Sequence, residues 1–328
     1  MKYSVIIPAY SVESYIITTL QSVVRQTFDD YEIIVVNDGS RDNTLQRVEE
    51  FAKKAERKIK VISQENGGLG AARNTGIKAA KGEYLFFVDG DDTIQENSLE
   101  EIDKVIEQNN SDIVVFDYDW VDLHGNVLAV TKGSNIDKQN FSLHEDKRVL
   151  LLPNSAVNKV FRRNLFIENN IEFPGRKLYE DVQTIPKLYY WAKNISYLPE
   201  SLYNYLQRPN SIMNTKVTDR TMEITDAIDE IVRYYKEIGQ YDIYKNEIEF
   251  LSVMHVLLDI GVRVTKVDRK SKNLEYFVAY VKRQFPVCRN NTYVQNMTKI
   301  DKLKMSLLLK RQFGVLSILL KIKSLADK

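Results

Sequence analysis

The chain has 328 residues, 44% hydrophobic and 28% charged, which are values of a globular protein with a sizeable core; disordered, collagen-like and low-complexity classes are excluded, and the length suggests more than one compact part. Lys and Arg number 46 against 45 Asp and Glu, and the formal charge of +1 argues against a protein that works by neutralising nucleic-acid phosphates. Cys288, the lone cysteine, can form neither an internal disulfide nor a Cys-based zinc site, and His124, His144 and His255 are too scattered for a histidine site, so a reducing, cytoplasmic setting is expected.

The opening MKYSVIIPAY holds a short apolar run closed by Pro8, too short for a signal-peptide core, and reads as a strand. No stretch approaches the roughly 18 apolar residues of a membrane span. Through residue 120, apolar runs at Tyr3–Ile7, Glu32–Val36, Lys60–Ser63, Tyr84–Val88 and Asp112–Phe116 read as strands. Between them Glu13–Gln26, Asn43–Lys58, Leu69–Lys81 and Asn97–Asn109 have helical spacing, with Ser40 or Asp42 placed to cap the second. This alternation predicts an α/β fold, a mostly parallel sheet flanked by helices. Residues 121–214 are less regular, with many Tyr and five of the seven prolines, and read as a segment that completes the site. Residues 215–328 are helical by pattern, at Asp219–Ile238, Tyr241–Val264 and Leu274–Gln284.

Ligands of such sheets bind outside the carboxyl ends of the strands, so the residues after each strand matter most. They are Pro8-Ala9-Tyr10, Asn37-Asp38-Gly39-Ser40, Asn66-Gly67-Gly68-Leu69-Gly70 and Asp89-Gly90-Asp91-Asp92. Asp89 and Asp91, two carboxylates around one glycine after an apolar strand, can reach one hard cation, Mg²⁺ or Mn²⁺, with a diphosphate as co-ligand; an isolated DGD is also an ordinary acidic turn. Asp38 can accept from a nucleobase N–H, although Asn-Asp-Gly-Ser is plain turn chemistry too. In Asn66–Gly76, amides at a helix start plus Arg73 suit a phosphate or a base carbonyl. Gly68-x-Gly70 is followed by Arg73, so GxGxxG fails, and the glycine-free first loop disfavours a dinucleotide fold. In Tyr179-Glu180-Asp181 a carboxylate can act as general base, or merely complement a helix dipole.

VIIPAY, VNDGS, ENGGLGAARNTG, FFVDGDD and KLYEDV, in this order, resemble the family 2 glycosyltransferases of GT-A fold, most of all members that build bacterial capsule, exopolysaccharide and wall polymers. The resemblance is strong over 1–120, recognisable to about 214, and fades in the helical third. It implies a donor-binding part (1–120), an acceptor-side part carrying the base (121–214) and a helical region (215–328). It also implies that Pro8, Ala9, Tyr10 and Asp38 hold the nucleobase, and that Arg73 contacts the nucleotide, with Asn66, Gly67 and Gly90 in the same donor loops. Asp89 and Asp91 match the DxD pair, Asp181 the base with Glu180 beside it, and Gln207 to Ile212, including Arg208, a segment near the donor diphosphate. One departure is Ser11, where many members carry Asn. The implied reaction is metal-dependent, inverting transfer of a sugar from a nucleoside diphosphate, most often UDP, to a hydroxyl of a glycan or lipid-linked saccharide. A nucleotidyltransferase and a non-catalytic nucleotide-sugar-binding subunit are the alternatives, and a homo-oligomer stays open.

Tyr118, Trp120, Tyr189, Tyr190 and Trp191 suit stacking on sugars or ordinary core packing. Residues 299–328 carry eight Lys and Arg against two acids, +6, so the first 298 carry −5. Their interleaved Leu, Ile and Val fit either a helix pair packed on protein or peripheral contact with a membrane.

Overall fold

The apolar runs of the first 120 residues pair as expected, because side chains apolar on both faces need cover on both. The computed structural model describes residues 1–208 and 218–326. Strands β1 (Tyr3–Ala9), β2 (Tyr31–Asn37), β3 (Ile59–Ser63) and β4 (Tyr84–Phe87) run parallel in the order β3-β2-β1-β4. Helices α1 (Ile16–Val24), α2 (Thr44–Ala52) and α3 (Leu69–Ala79) make the crossovers. The second helix stops six residues short of the expected Lys58; Lys53 and Lys54 past its end are exposed, while Ala55 still packs against the core. Pro8 and Ala9, expected in a loop, extend β1. Pro8 lies beyond the last pairing with β4, Ile6 with Phe87, where its missing N–H costs the sheet nothing.

The short strand β5 (Thr93–Ile94), helix α4 (Ser98–Asn109) and strand β6 (Ile113–Val121) follow. β6 is longer than its apolar run because its second half pairs with β7 (Val127–Thr131) on one side and β10 (Ile195–Leu206) on the other. Between lie β8 (Asn140–Phe141), a 3₁₀ turn at Lys147–Leu151, β9 (Lys159–Arg162), α5 (Asn164–Ile167) and α6 (Glu180–Trp191). β9 enters the middle of the sheet, antiparallel between β4 and β6. Four residues, KVFR, are too few to show a period, so the sequence concealed a central strand. The pairings orient β1, β2, β3, β4, β6 and β10 alike, so their carboxyl ends share one edge, and β9 begins there at Lys159.

Met1–Ser211 and Ile212–Lys328 form two compact units. The second contains α7 (Glu223–Glu237), a continuous helix of α8 (Tyr241–Ser252), a π-helical stretch (Val253–Gly261) and α9 (Val262–Val267), then α10 (Lys272–Gln284), α11 (Thr292–Gln295), α12 (Lys299–Leu309) and α13 (Phe313–Ala326). Ile228, Ile231, Ile248, Val256, Phe277, Val281, Leu308 and Leu316 are buried there.

Gly70 lets the 173–175 loop lie on the start of α3: a Cβ built there would stand 2.2 Å from the Pro174 carbonyl oxygen. Gly70→Ala is expected to lower the unfolding free energy by about 1–3 kcal/mol, through overpacking against backbone that must move. Denaturant unfolding of the variant measures this.

Candidate active site

At the shared strand edge the first two loops are laced by side chains. Ser40 Oγ accepts from the Ser11 amide at 3.1 Å, Thr44 Oγ1 from Val12 at 2.9 Å, and Asp42 Oδ2 from Glu13 at 3.0 Å. Against expectation Ser40 does not cap α2, whose N-cap position is Asn43, because its hydroxyl is taken by the first loop; Asp42 Oδ1 does accept from the Thr44 amide at 3.0 Å. Ser11 takes a left-handed φ of 51° in this lacing, where a short polar side chain is tolerated. Tyr10 stands 43% exposed at the rim.

Asp38 is buried under the third loop. Its carboxylate accepts from Gln64 Nε2 (2.7 Å), Asn66 Nδ2 (3.1 Å) and the amides of Gly67 and Gly68 (2.8 Å each). Asp38 thus organises Asn66-Gly67-Gly68. The cause is local: Gly68 has φ 84°, and the amides it and Gly67 present need an acceptor. Gly90 packs tightly beneath the Pro8 carbonyl and Val12, which holds the acidic loop against the first.

Arg73 departs most from expectation. Instead of facing a nucleotide it is 1% exposed, with Nη1 on Glu180 (3.1 Å) and Asp181 (2.5 Å) and Nη2 on Asp89 (3.2 Å). Its guanidinium lies over the Phe173 ring, 5.3 Å from the centroid. Arg73 sits one turn into α3, on the face that packs inward, so its charge must meet partners within the protein. Glu180 and Asp181 open α6, after Tyr179 in a left-handed φ of 61°, where the helix dipole favours anions. Burial, and then the neighbouring Asp181, push Glu180 up to about 7; burial also raises Asp181, against the pull of Arg73.

The rest of the acidic loop divides its work. Asp91 Oδ2 meets Arg208 Nε at 2.5 Å, and that guanidinium lies over the Tyr15 ring. Burial and Asp89 together raise Asp91. Asp92, which no reading singled out, is structural: it accepts from the Tyr203 hydroxyl (2.6 Å) and the Leu206 amide (2.8 Å), fastening β10 to the loop. Of the expected segment after Gln207, Pro209 to Ile212 lie outside the described residues. Tyr189 is core, and Trp120 and Tyr205, partly buried, lie 4.9 Å apart near the strand edge.

Lys159 also escaped sequence reasoning. It is fully buried, and its ammonium donates to Pro153 O (2.7 Å), Ser155 O (2.7 Å) and Asn158 Oδ1 (2.6 Å). Burial pulls it down to about 7, opposed by the charge of Asp181. The loop it gathers presents the Ala156 amide to Asp181 Oδ2 at 2.9 Å. A lysine in an apolar strand, NKVF, was the signal available. Among the described residues no group of three or more His, Cys, Asp or Glu could hold a metal by itself.

Comparisons with known proteins identify the family and the fold. The family model for glycosyl transferase family 2 matches residues 4–169. The chain is 28% identical over 268 residues to the glycosyltransferase GlyG of Streptococcus pneumoniae serotype 4, covering 78% of this chain and 85% of that one. It is 31% identical over 263 residues to the putative glycosyltransferase EpsH of Bacillus subtilis, covering 77% and 74%. In fold it is similar to the crystal structure of S. aureus TarS 1–349 in complex with UDP-GlcNAc, with a TM-score of 0.61 and 24% identity over 91% of this chain and 93% of that one.

Removing the guanidinium leaves three partly buried carboxylates with one fewer cation. Arg73→Gln is expected to cost about 3–5 kcal/mol at neutral pH. The loss raises the folded-state pKa of Glu180 and Asp181, which Arg73 lowers, so the variant's folded form binds more protons and its deficit shrinks as pH falls. Unfolding measured at pH 5 and pH 7 reads both effects.

Proposed function

Because the chain belongs to glycosyl transferase family 2 and has the GT-A fold, we propose that this glycosyltransferase moves a sugar from a UDP-sugar to an acceptor hydroxyl with inversion, in the synthesis of a bacterial surface polymer. The observation that carries the reading is the meeting of Asp89 with Glu180 and Asp181 around Arg73 at one sheet edge, with Asp91 two residues on paired to Arg208. Nucleotidyl transfer has no comparable support.

Asp181 is the general base. Arg73 and the Ala156 amide hold its two oxygens, and its raised basicity suits a group that must take a proton near neutral pH. The acceptor hydroxyl gives its proton to Asp181 as its oxygen bonds to the anomeric carbon, and the bond to the diphosphate breaks on the opposite face. Glu180, itself raised by burial and by the charge of Asp181, shares Arg73 with it. Pro8, Ala9, Tyr10, Asp38, Asn66 and Gly67 border the nucleobase side.

The acidic loop fits a divalent cation: Asp91 already draws a guanidinium, and Asp89 and Asp91 are hard oxygen donors two residues apart. Asp89 and Asp91 would hold the cation. Bound there, Mn²⁺ or Mg²⁺ supplies Lewis-acid stabilisation of the leaving diphosphate. Arg208, once off Asp91, matches the same oxygens by charge and shape. UDP as the nucleotide is supported by the UDP-GlcNAc and UDP complexes of the TarS structures. Trp120 and Tyr205 offer aromatic faces to an acceptor sugar.

Asp181→Asn is expected to lower turnover by about 10²–10⁴ while UDP binding, measured by calorimetry, stays near wild type. Unchanged turnover would refute the assignment. Lys159→Met removes a charge that lowers the Asp181 pKa. The acid limb of its kcat profile should therefore move to higher pH, since Asp181 stays protonated further up the scale.

A further inference from the structure

From Arg263 to the C-terminus the sequence holds sixteen Lys and Arg against four Asp and Glu, a net +12, whereas 212–262 holds five against ten. The charge is therefore gathered well beyond the tail helices, and the fold of the second unit brings its parts together. α9 packs on α13, and a Cβ built on Gly314 at the start of α13 would lie 3.9 Å from Arg269 Nη1. Arg311, in the turn before α13, pairs with Glu275 on α10 at 2.7 Å. The α9–α10 and α12–α13 turns thus form one corner, where Lys266, Arg269, Lys270, Lys310 and Arg311 are all exposed.

Aliphatic side chains stand in solvent beside these cations. Val267 is 62% exposed, and along α13 Val315, Ile318 and Ile322 are 55%, 56% and 61% exposed, spaced i, i+3, i+7 on one face. Leu316 and Leu320 bury the opposite face. A helix that packs one apolar face and leaves another in water beside a basic turn has the composition of an interfacial element. Among the described residues no helix is long and apolar enough to cross a membrane, so contact would be along a surface.

We propose that this corner, the α9–α10 turn with the α12–α13 turn and the outer face of α13, docks on an anionic lipid surface. The cations meet headgroup phosphates and the aliphatic stripe enters the acyl boundary. A soluble polyanion would satisfy the cations and leave Val315, Ile318 and Ile322 in water, which is why the lipid surface is the better fit. The proposal does not depend on the transfer reaction.

Cosedimentation of the full chain with vesicles tests it. Binding is expected to vesicles of phosphatidylglycerol and phosphatidylcholine, to weaken with salt, and to be absent with phosphatidylcholine alone. Lys266→Gln/Arg269→Gln/Lys270→Gln should weaken vesicle partitioning about 100-fold, at about 5-fold per cation. Val315→Ser/Ile318→Ser keeps the charge and should weaken it about tenfold or more, with unfolding midpoint and UDP binding unchanged. No vesicle binding by the wild type would overturn the proposal. So would a serine pair that binds like wild type, or a preference for soluble polyphosphate over vesicles, which would make the corner a polyanion site.

Discussion

Arg73 is a full positive charge inside the protein, against Phe87 and Phe173, and the geometry of the site follows from the need to compensate it. A buried guanidinium without partners is among the costliest groups a fold can contain. Asp89 comes from the end of β4 and Glu180 and Asp181 from the first turn of α6, so one cation holds three segments that are remote in sequence. Burial is what chiefly lifts Glu180 and Asp181, with Asp181 raising Glu180 further, while Arg73 pulls both back down. Lys159 is the second cation of this cluster and acts through the loop that bears Ala156. Stability and acid–base poise are thus two consequences of one arrangement.

The donor side is organised by hydrogen bonds instead of ion pairs. Asp38 gathers four donors from the third loop, and Ser40, Asp42 and Thr44 receive amides of the first. Loops satisfied in this way are set before a ligand arrives, which reduces the ordering cost of binding. The acidic loop is anchored separately, through Asp92 and Tyr203 to β10. Asp91 pairs with Arg208.

The alternation of apolar strands and helical spacings, local enough to be read along the chain, determined by itself the parallel half of the sheet and the edge where ligands belong. It also located the acidic loop, the glycine-rich loop and Glu180-Asp181, because strand ends and turn residues mark them. The position of β9 in the sheet was not legible, since four residues carry no period and their partners are β4 and β6. The partners of Arg73 were not legible either: a helix-start Arg looks the same whether it faces a phosphate or three carboxylates. The basic corner of the second unit shows the same limit, for charge can be counted along the chain, but only packing of α13 on α9 gathers Arg269 and Lys310 beside an exposed aliphatic face. Periodicity and turn chemistry act between neighbours in sequence, and so the sequence determined the elements and their ends. Burial and charge compensation act between neighbours in space, and only the tertiary structure decided which carboxylate answers which cation.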